Sequence, residues 1–161
     1  MTEKQLAGYG EWESPITAES IARGGIRLTD VETDGDDVYW QEMRPADGAR
    51  YVIVGAAGDV TPAGFSARSL VHEYGGGAFR VFDGDCYFTN LADQRVYRQI
   101  AAGAPLALTP EGRVRYADFD RDAGRDRLMA VAEDHSAKGA EVSNRIVTIG
   151  IDGEAKPRTL V

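Results

Sequence analysis

The sequence has 161 residues, of which 43% are hydrophobic and 27% charged, the composition of an ordinary folded domain. Its formal net charge of -8 excludes the clustered Lys and Arg of a phosphate-binding surface, so we expect no nucleic-acid partner. Cys86 is the only cysteine, which excludes an intrachain disulfide and a CxxC metal site. Without a signal-like apolar start or an apolar run of membrane-spanning length, we expect a cytoplasmic protein with no membrane partner.

Residues 1–25 are predicted to form an extension with one short helix. Tyr9 and Trp12 stand in a polar stretch, and we expect them to pack on the body of the protein. Thr17 is a suitable N-cap, Glu19 suits the first turn, and the Gly24–Gly25 pair would end the helix. No later segment shows a sustained apolar period of helical spacing.

After the helix, short strand-like runs alternate with turns, and these runs repeat. The segment Asp34–Trp40 recurs as Asp83–Phe88 and, more faintly, at 122–129. A Thr-Pro-x-Gly motif begins at Thr61 and recurs at Thr109, with the same offset as Tyr39 and Tyr87 in the first pair of segments. Each unit contains four strands in roughly 45 residues, which is typical of a β-propeller blade.

We therefore predict an all-β fold, a partial β-propeller of about three four-stranded blades that follows the short N-terminal helix. The blades are predicted at about 26–65, 66–112 and 113–161. Propellers close with about four to eight blades, so three blades form an incomplete ring. The last blade would leave an apolar face and a strand edge uncovered, and the isolated chain is therefore expected to self-associate.

Acidic segments in this region are predicted to be turns. Asp34–Asp37 lacks the ligand alternation and terminal Glu of a calcium loop, which favours a hairpin turn. Asp118–Asp122 is predicted to be a second solvated acidic turn with local ion pairs. Aromatic residues within the strand-like runs are predicted to form the core between blades: Tyr39, Trp40, Phe79, Tyr87 and Phe88.

Several long motifs carry a resemblance to a known family: Tyr9–Ala18, Asp34–Trp40, Asp59–Phe65, Val71–Ala78, Thr89–Gln99 and Glu133–Ser136. Together they resemble the amino-terminal propeller of the prolyl oligopeptidase superfamily (S9 serine peptidases), in its acylaminoacyl-peptidase and dipeptidyl-aminopeptidase-like branch. The resemblance implies a propeller that limits the access of short peptides to an α/β-hydrolase domain. That domain would be the partner of this chain, which we expect to be a fragment cut at a blade boundary.

In that family the catalytic Ser, Asp and His belong to the hydrolase domain, with the Ser on a GxSxG elbow. The chain contains no such elbow, because Gly64–Arg68 ends in Arg rather than Gly. We therefore assign no catalytic residue, expect no cofactor, and predict that the chain alone is inactive. A non-enzymatic binding or scaffold propeller is the alternative. A metal-dependent lactonase-type propeller is less favoured, because it needs ligands that converge on the central channel.

The segment Val71–Ala78 contains the candidate site. It lies in a connection that is longer than the corresponding connection after Thr109, and the glycines Gly75, Gly76 and Gly77 predict a tight structural turn. In an antiparallel four-stranded blade, this connection and the loop of His135 emerge on the same face. Four residues are therefore expected to face the substrate or the hydrolase domain: His72, Glu73, Tyr74 and His135.

For His72 and Glu73, three interpretations stay open. The pair could hydrogen-bond to backbone in the tight connection, which is the favoured interpretation. A carboxylate here could instead hold the free amino group of a peptide. Metal binding together with Asp134 and His135 is the third, but the spacing matches no compact metal motif, so no metal ligand is assigned. No helix follows the glycines, which excludes a phosphate-binding loop.

Overall fold

The protein is described here by a computed structural model covering residues 6–11, 13–22, 24–100, 103–137 and 142–161. Helix α1 (Ala18–Ala22) begins after Thr17, whose Oγ1 accepts a hydrogen bond from the backbone N–H of Ser20 at 3.0 Å, as predicted for the N-cap. Tyr9 is fully exposed, so the prediction that it packs on the body is wrong, and Trp12 lies outside the described residues. No helix in the described ranges combines the length and apolarity that crossing a membrane requires.

The described residues form three antiparallel sheets of four strands each, and none of these sheets closes on itself. The first sheet contains β1 (Arg27–Asp34), β2 (Asp37–Arg44), β3 (Arg50–Gly55) and β4 (Gly58–Asp59). The second contains β5 (Phe79–Phe82), β6 (Asp85–Thr89), β7 (Val96–Ile100) and β8 (Leu106–Ala107). The third contains β9 (Val114–Asp122), β10 (Arg127–Asp134), β11 (Ser143–Gly150) and β12 (Arg158–Thr159). The prediction of an all-β, incomplete propeller is confirmed.

The first strand of each sheet lies on the inner side of the propeller. In every sheet the strands follow chain order, and β5 contacts both β1 and β9. Arg80 on β5 links the three inner strands, because it pairs with Glu32 on β1 and donates from Nε to the backbone oxygen of Phe119 on β9 at 3.1 Å. A single side chain of the middle blade, that of Arg80, therefore contacts both neighbouring blades.

Strand β6 supplies side chains to both inter-blade cores because successive residues of a strand point to opposite faces. Cys86 and Phe88 belong to the core shared with the first sheet, whereas Tyr87 belongs to the core shared with the third. The prediction of inter-blade core holds for Tyr39, Phe79, Tyr87 and Phe88. Trp40 lies on the outward face of the first sheet, opposite Val31. Its indole Nε1 donates to Glu42 at 2.9 Å on the face opposite to Tyr39, which packs against the first of these cores.

Asp34 ends β1 and Asp37 begins β2, which confirms the predicted hairpin. The Asp34 carboxylate accepts hydrogen bonds from the backbone N–H groups of Asp83 at 3.2 Å and Gly84 at 2.6 Å, so the tip of the first hairpin supports that of the second.

The prediction of an acidic turn at Asp118–Asp122 is wrong, because this segment is the second half of β9. A bulge interrupts the pairing of β9 with β10 at this point. Because of the bulge, Tyr116 and Phe119 both reach the core although they are three residues apart, and Phe119 is only 1% exposed. A strict alternation of apolar and polar residues, which the sequence lacks here, would have identified the strand.

The repeated threonines close the outer edge of the first two blades. Thr61 accepts a hydrogen bond through Oγ1 from the N–H of Ile53 at 2.9 Å, and Thr109 does the same for Val96 at 2.9 Å. Both threonines are 1% exposed. The hydroxyl therefore replaces a backbone partner where the short outer strand has ended, which explains why the motif recurs in register.

Apolar side chains remain exposed on the outward faces of the first and third sheets. Leu28 and Val31 on β1 are 64% and 62% exposed, and Ile146 on β11 is 38% exposed. In a closed propeller, each such face is covered by another blade. Self-association of the isolated chain through these faces stays a prediction.

We expect Thr109→Val to destabilise the protein by about 1–3 kcal/mol, because it leaves the buried N–H of Val96 without its partner. Thr159→Val is the matched control, since Thr159 is exposed in the outer strand of the third sheet. Urea unfolding of the three proteins measures the difference. Equal losses for both variants would contradict the closing role of the buried threonine.

Candidate functional site

The long connection between the first two blades runs from Val60 to Ala78, whereas the next connection runs only from Leu108 to Arg113. It crosses the end of the second sheet and is held there by Gln94. The side-chain Oε1 of Gln94 accepts a hydrogen bond from the N–H of Leu70 at 2.8 Å, and its Nε2 donates to the backbone oxygen of Arg68 at 3.3 Å. The connection then reaches the third sheet.

The contact with the third sheet is made through the carboxylate of Glu133 on β10, whose side chain is only 5% exposed. Its Oε2 accepts a hydrogen bond from the backbone N–H of His72 at 2.6 Å. Its Oε1 accepts one from Nη1 of Arg115 on β9 at 3.1 Å and also contacts Nε2 of His135. We call these four residues, His72, Arg115, Glu133 and His135, the Glu133 cluster.

Both histidines of the chain therefore contact one carboxylate. Nδ1 of His72 lies 3.3 Å from Oε2 of Glu133, and the His72 side chain is 60% exposed. The His135 side chain is 25% exposed, and its backbone N–H donates to the oxygen of Arg113 at 2.9 Å. The structure brings the two predicted loops together on one side of the propeller. Whether they face a substrate or another domain stays a prediction.

The pKa of Glu133 is lowered by its surroundings. Burial alone would raise the pKa of this carboxyl, but the hydrogen bonds from the His72 backbone and from His135, with the charges of His135 and Arg115, outweigh burial. The carboxylate is thus anionic at neutral pH, and it accepts charge-assisted hydrogen bonds from three segments of the chain.

The backbone of the candidate segment is strained at its tip. His72 and Glu73 have φ angles of 52° and 62°, in the left-handed region that residues with a side chain seldom adopt. The N–H of Glu73 donates to the oxygen of Leu70 at 3.0 Å, and that of Gly75 to the oxygen of Val71 at 3.2 Å. Turn hydrogen bonds and the Glu133 carboxylate therefore maintain this conformation.

Two of the three glycines also permit close approach of the backbone. A Cβ at Gly75 would lie 2.6 Å from the backbone oxygen of Ser69. A Cβ at Gly77 would overlap the carboxylate of Asp118 and lie 2.9 Å from its backbone nitrogen, which donates to the oxygen of Gly77 at 2.9 Å. At Gly76 there is space for a Cβ, and glycine is favoured there only because of the φ angle of 110°.

Beside the Glu133 cluster lies a cleft of about 570 Å³ between the second and third blades. Loops of both blades form its walls, and Leu70, Arg113, Arg115 and His135 are among the lining residues. The exposed tip at 72–74 does not line it. The cleft is mixed in polarity and open to solvent at the same end of the propeller as the two histidines.

A metal site is not assembled from the residues considered in the sequence. Asp134 is engaged elsewhere, since its Oδ1 accepts a hydrogen bond from the N–H of Ser136 at 2.8 Å and its Oδ2 lies 3.6 Å from Arg145. The described residues contain no group of three or more His, Cys, Asp or Glu side chains suited to hold a metal ion.

Sequence reasoning missed Arg115 and Glu133 as site residues. The one available signal was a charged residue directly after the apolar run of β10, where burial of a charge requires partners. Those partners include His72, which is far from Glu133 in the chain, so the sequence alone could not identify them.

Solved structures of two enzymes resemble this fold over nearly its whole length. A puromycin-hydrolyzing peptidase from Mycobacterium tuberculosis shares 33% identity over 98% of this chain, with a TM-score of 0.87. A puromycin hydrolase shares 30% identity over 98% of the chain, with a TM-score of 0.86. A mutant of puromycin hydrolase complexed with PGG gives a TM-score of 0.85 at 30% identity over 96% of the chain. No protein-family model and no curated protein matches the sequence.

The three open sheets and these neighbours define the class as part of a β-propeller like the propeller portion of the two peptidases. The chain is similar to the propeller portion of these enzymes, which are members of the prolyl oligopeptidase (S9) family. It spans only 27–28% of the length of the neighbouring proteins.

We expect Gly77→Ala to destabilise the protein by about 2–5 kcal/mol, because the added Cβ combines an unfavourable φ with overlap of Asp118. Gly35→Ala is the matched control: its φ of 60° is close to the 52° of Gly77, but the space around it is open. That variant should lose only about 1 kcal/mol. Thermal and urea unfolding measure both, and a loss at Gly77 no larger than at Gly35 would contradict the close approach.

The lowered pKa of Glu133 predicts a specific pH dependence of stability. Because the folded-state pKa lies below the ordinary value of 4.5, the unfolded state binds more protons as the pH falls past that value. The contribution of Glu133 is therefore fully present above pH 4.5 and is lost as the pH falls through the lowered pKa.

Glu133→Gln should destabilise the protein by about 3–5 kcal/mol at neutral pH, and its deficit relative to the native chain should shrink as the pH falls below 4.5. Glu111→Gln is the control, since the Glu111 side chain is 89% exposed. Urea unfolding across this pH range measures both. A deficit that is constant with pH would show that the Glu133 charge is not what stabilises the site.

Proposed function

We propose that this chain is the propeller portion of a cytoplasmic serine peptidase of the acylaminoacyl-peptidase or dipeptidyl-aminopeptidase type. In this proposal the propeller limits the access of substrates to an α/β-hydrolase domain of the same protein, and the chain itself contributes no catalytic group. The observation that carries the proposal is the 33% identity and TM-score of 0.87 to a puromycin-hydrolyzing peptidase over 98% of the chain.

The environment of Ser66, the serine in the sequence Gly64–Arg68, supports a structural rather than a nucleophilic role for this residue. Oγ of Ser66 accepts a hydrogen bond from the backbone N–H of Tyr51 at 3.0 Å, and the N–H of Ser66 donates to Asn90 at 3.1 Å. This serine joins the first two blades and has the role of a structural residue. A nucleophilic serine needs an adjacent base instead.

The arrangement of loops supports the gating role. The two long loops, which contain His72 and His135, meet at one end of the blades beside the cleft of about 570 Å³. Extended loops on a rigid scaffold are where binding groups concentrate. We place the hydrolase domain and the path of the substrate at this end, with Glu73 and Tyr74 among the exposed side chains there.

The substrate class to test first is a short aminoacyl amide, because the neighbouring enzymes are named for hydrolysis of puromycin. We expect the complete protein to hydrolyse puromycin and aminoacyl anilides and to react with a fluorophosphonate probe for active serines. It should cleave an unfolded protein at least about tenfold more slowly, as kcat/KM, than the short substrates. Residues 1–161 alone should show neither hydrolysis nor labelling.

Each part of the proposal has its own contrary result. Hydrolysis by residues 1–161 alone would place a catalytic group in this chain. Failure of the complete protein to react with the probe would refute the peptidase assignment. Cleavage of an unfolded protein as fast as of short substrates would refute gating while leaving peptidase activity in place.

A further inference from the structure

The tip of the long connection exposes three consecutive side chains between buried neighbours. Val71 and Ala78 on either side are 3% and 2% exposed, whereas Tyr74 is 90% exposed. His72 and Glu73 are exposed as well. The segment is therefore anchored at both ends and presents a large aromatic side chain to the solvent.

The exposed tip has an unfavourable backbone conformation, and a buried carboxylate maintains it. Left-handed φ angles, such as those of His72 and Glu73, are unfavourable for residues with a side chain and persist only where surrounding contacts impose them. The imposing contact is the hydrogen bond from the N–H of His72 to the buried carboxylate of Glu133, at 2.6 Å. Gly75 and Gly77, which cannot accommodate a Cβ, fix the path of the chain after the tip. The position of Tyr74 is thus defined rather than variable.

An exposed tyrosine on a backbone that is held in place is suited to a protein interface. Tyrosine is enriched among the residues that dominate binding energy, because it buries much apolar surface at low entropic cost and retains a hydroxyl for a hydrogen bond. The cleft beside the tip is lined by Leu70, Arg115 and His135, and not by Tyr74. A small substrate in that cleft would therefore not need the tyrosine, whereas a protein surface that covers this end of the blades would contact it.

We propose that Tyr74 is the anchor by which the propeller docks onto the catalytic domain of the same protein, and that Glu133 is the positioning residue that presents it. The inference rests on the proposed function. The occupant is taken to be this domain because the neighbouring enzymes extend far beyond the 27–28% of their length that this chain spans. Docking at Tyr74 keeps the two parts closed over the cleft.

The test uses the complete protein with a photoreactive phenylalanine analogue at position 74, followed by mass spectrometry of the cross-linked peptides. Cross-links from position 74 to peptides of the catalytic domain are expected. The same analogue at position 9 is the matched control, since Tyr9 is also fully exposed but lies in the N-terminal extension. It should not give these cross-links.

A functional measurement accompanies the cross-linking. Tyr74→Ala should raise the rate of cleavage of an unfolded protein relative to puromycin by about tenfold, because the interface opens. Tyr74→Phe keeps the ring and should change this ratio by less than about twofold, as should Tyr9→Ala. Glu133→Gln should raise the ratio like Tyr74→Ala, and the double variant should add little to either, since both act on one contact.

Cross-links from position 74 only to bound peptide substrate would overturn the inference in favour of substrate contact, with gating by the propeller intact. Cross-links that resemble those from position 9, or a ratio unaffected by Tyr74→Ala, would also overturn it. A complete protein that does not react with the serine probe would instead refute the proposed function itself. The two failures are thereby distinguished.

Discussion

One buried carboxylate organises the candidate site. Glu133 lies in β10 of the third blade. Its carboxylate accepts hydrogen bonds from the backbone of the long connection between the first two blades, from Arg115 and from His135. A buried charge without such partners would destabilise the fold by roughly 3–5 kcal/mol. The long connection therefore stabilises the third blade as well as joining the first two.

The open ring of blades determines where this carboxylate can act. Inner strands lie side by side, and Arg80 joins them through Glu32 and the backbone of Phe119. Because the strands of each blade alternate in direction, crossovers and the loops between second and third strands emerge at one end. Residues of the candidate site from different parts of the chain meet there, at the carboxylate of Glu133.

The sequence predicted the structure well where a residue determines its own backbone conformation or recurs in a repeated unit. The recurring threonines, the hairpin at Asp34–Asp37 and the glycines of the crossover each have a local physical cause that the residue type reveals. It failed at Asp118–Asp122, because a bulge places Tyr116 and Phe119 on one face and breaks the two-residue period.

The sequence by itself determined the class of fold, the number of blades and the segment that carries the candidate site, because repeats, turn residues and strand periods are local properties. Only the tertiary structure decided what holds that segment, because the contact between His72 and Glu133 joins residues 61 positions apart. Such a contact depends on the register of two strands and on the path of a loop across a neighbouring blade, and neither is encoded in any short stretch of residues.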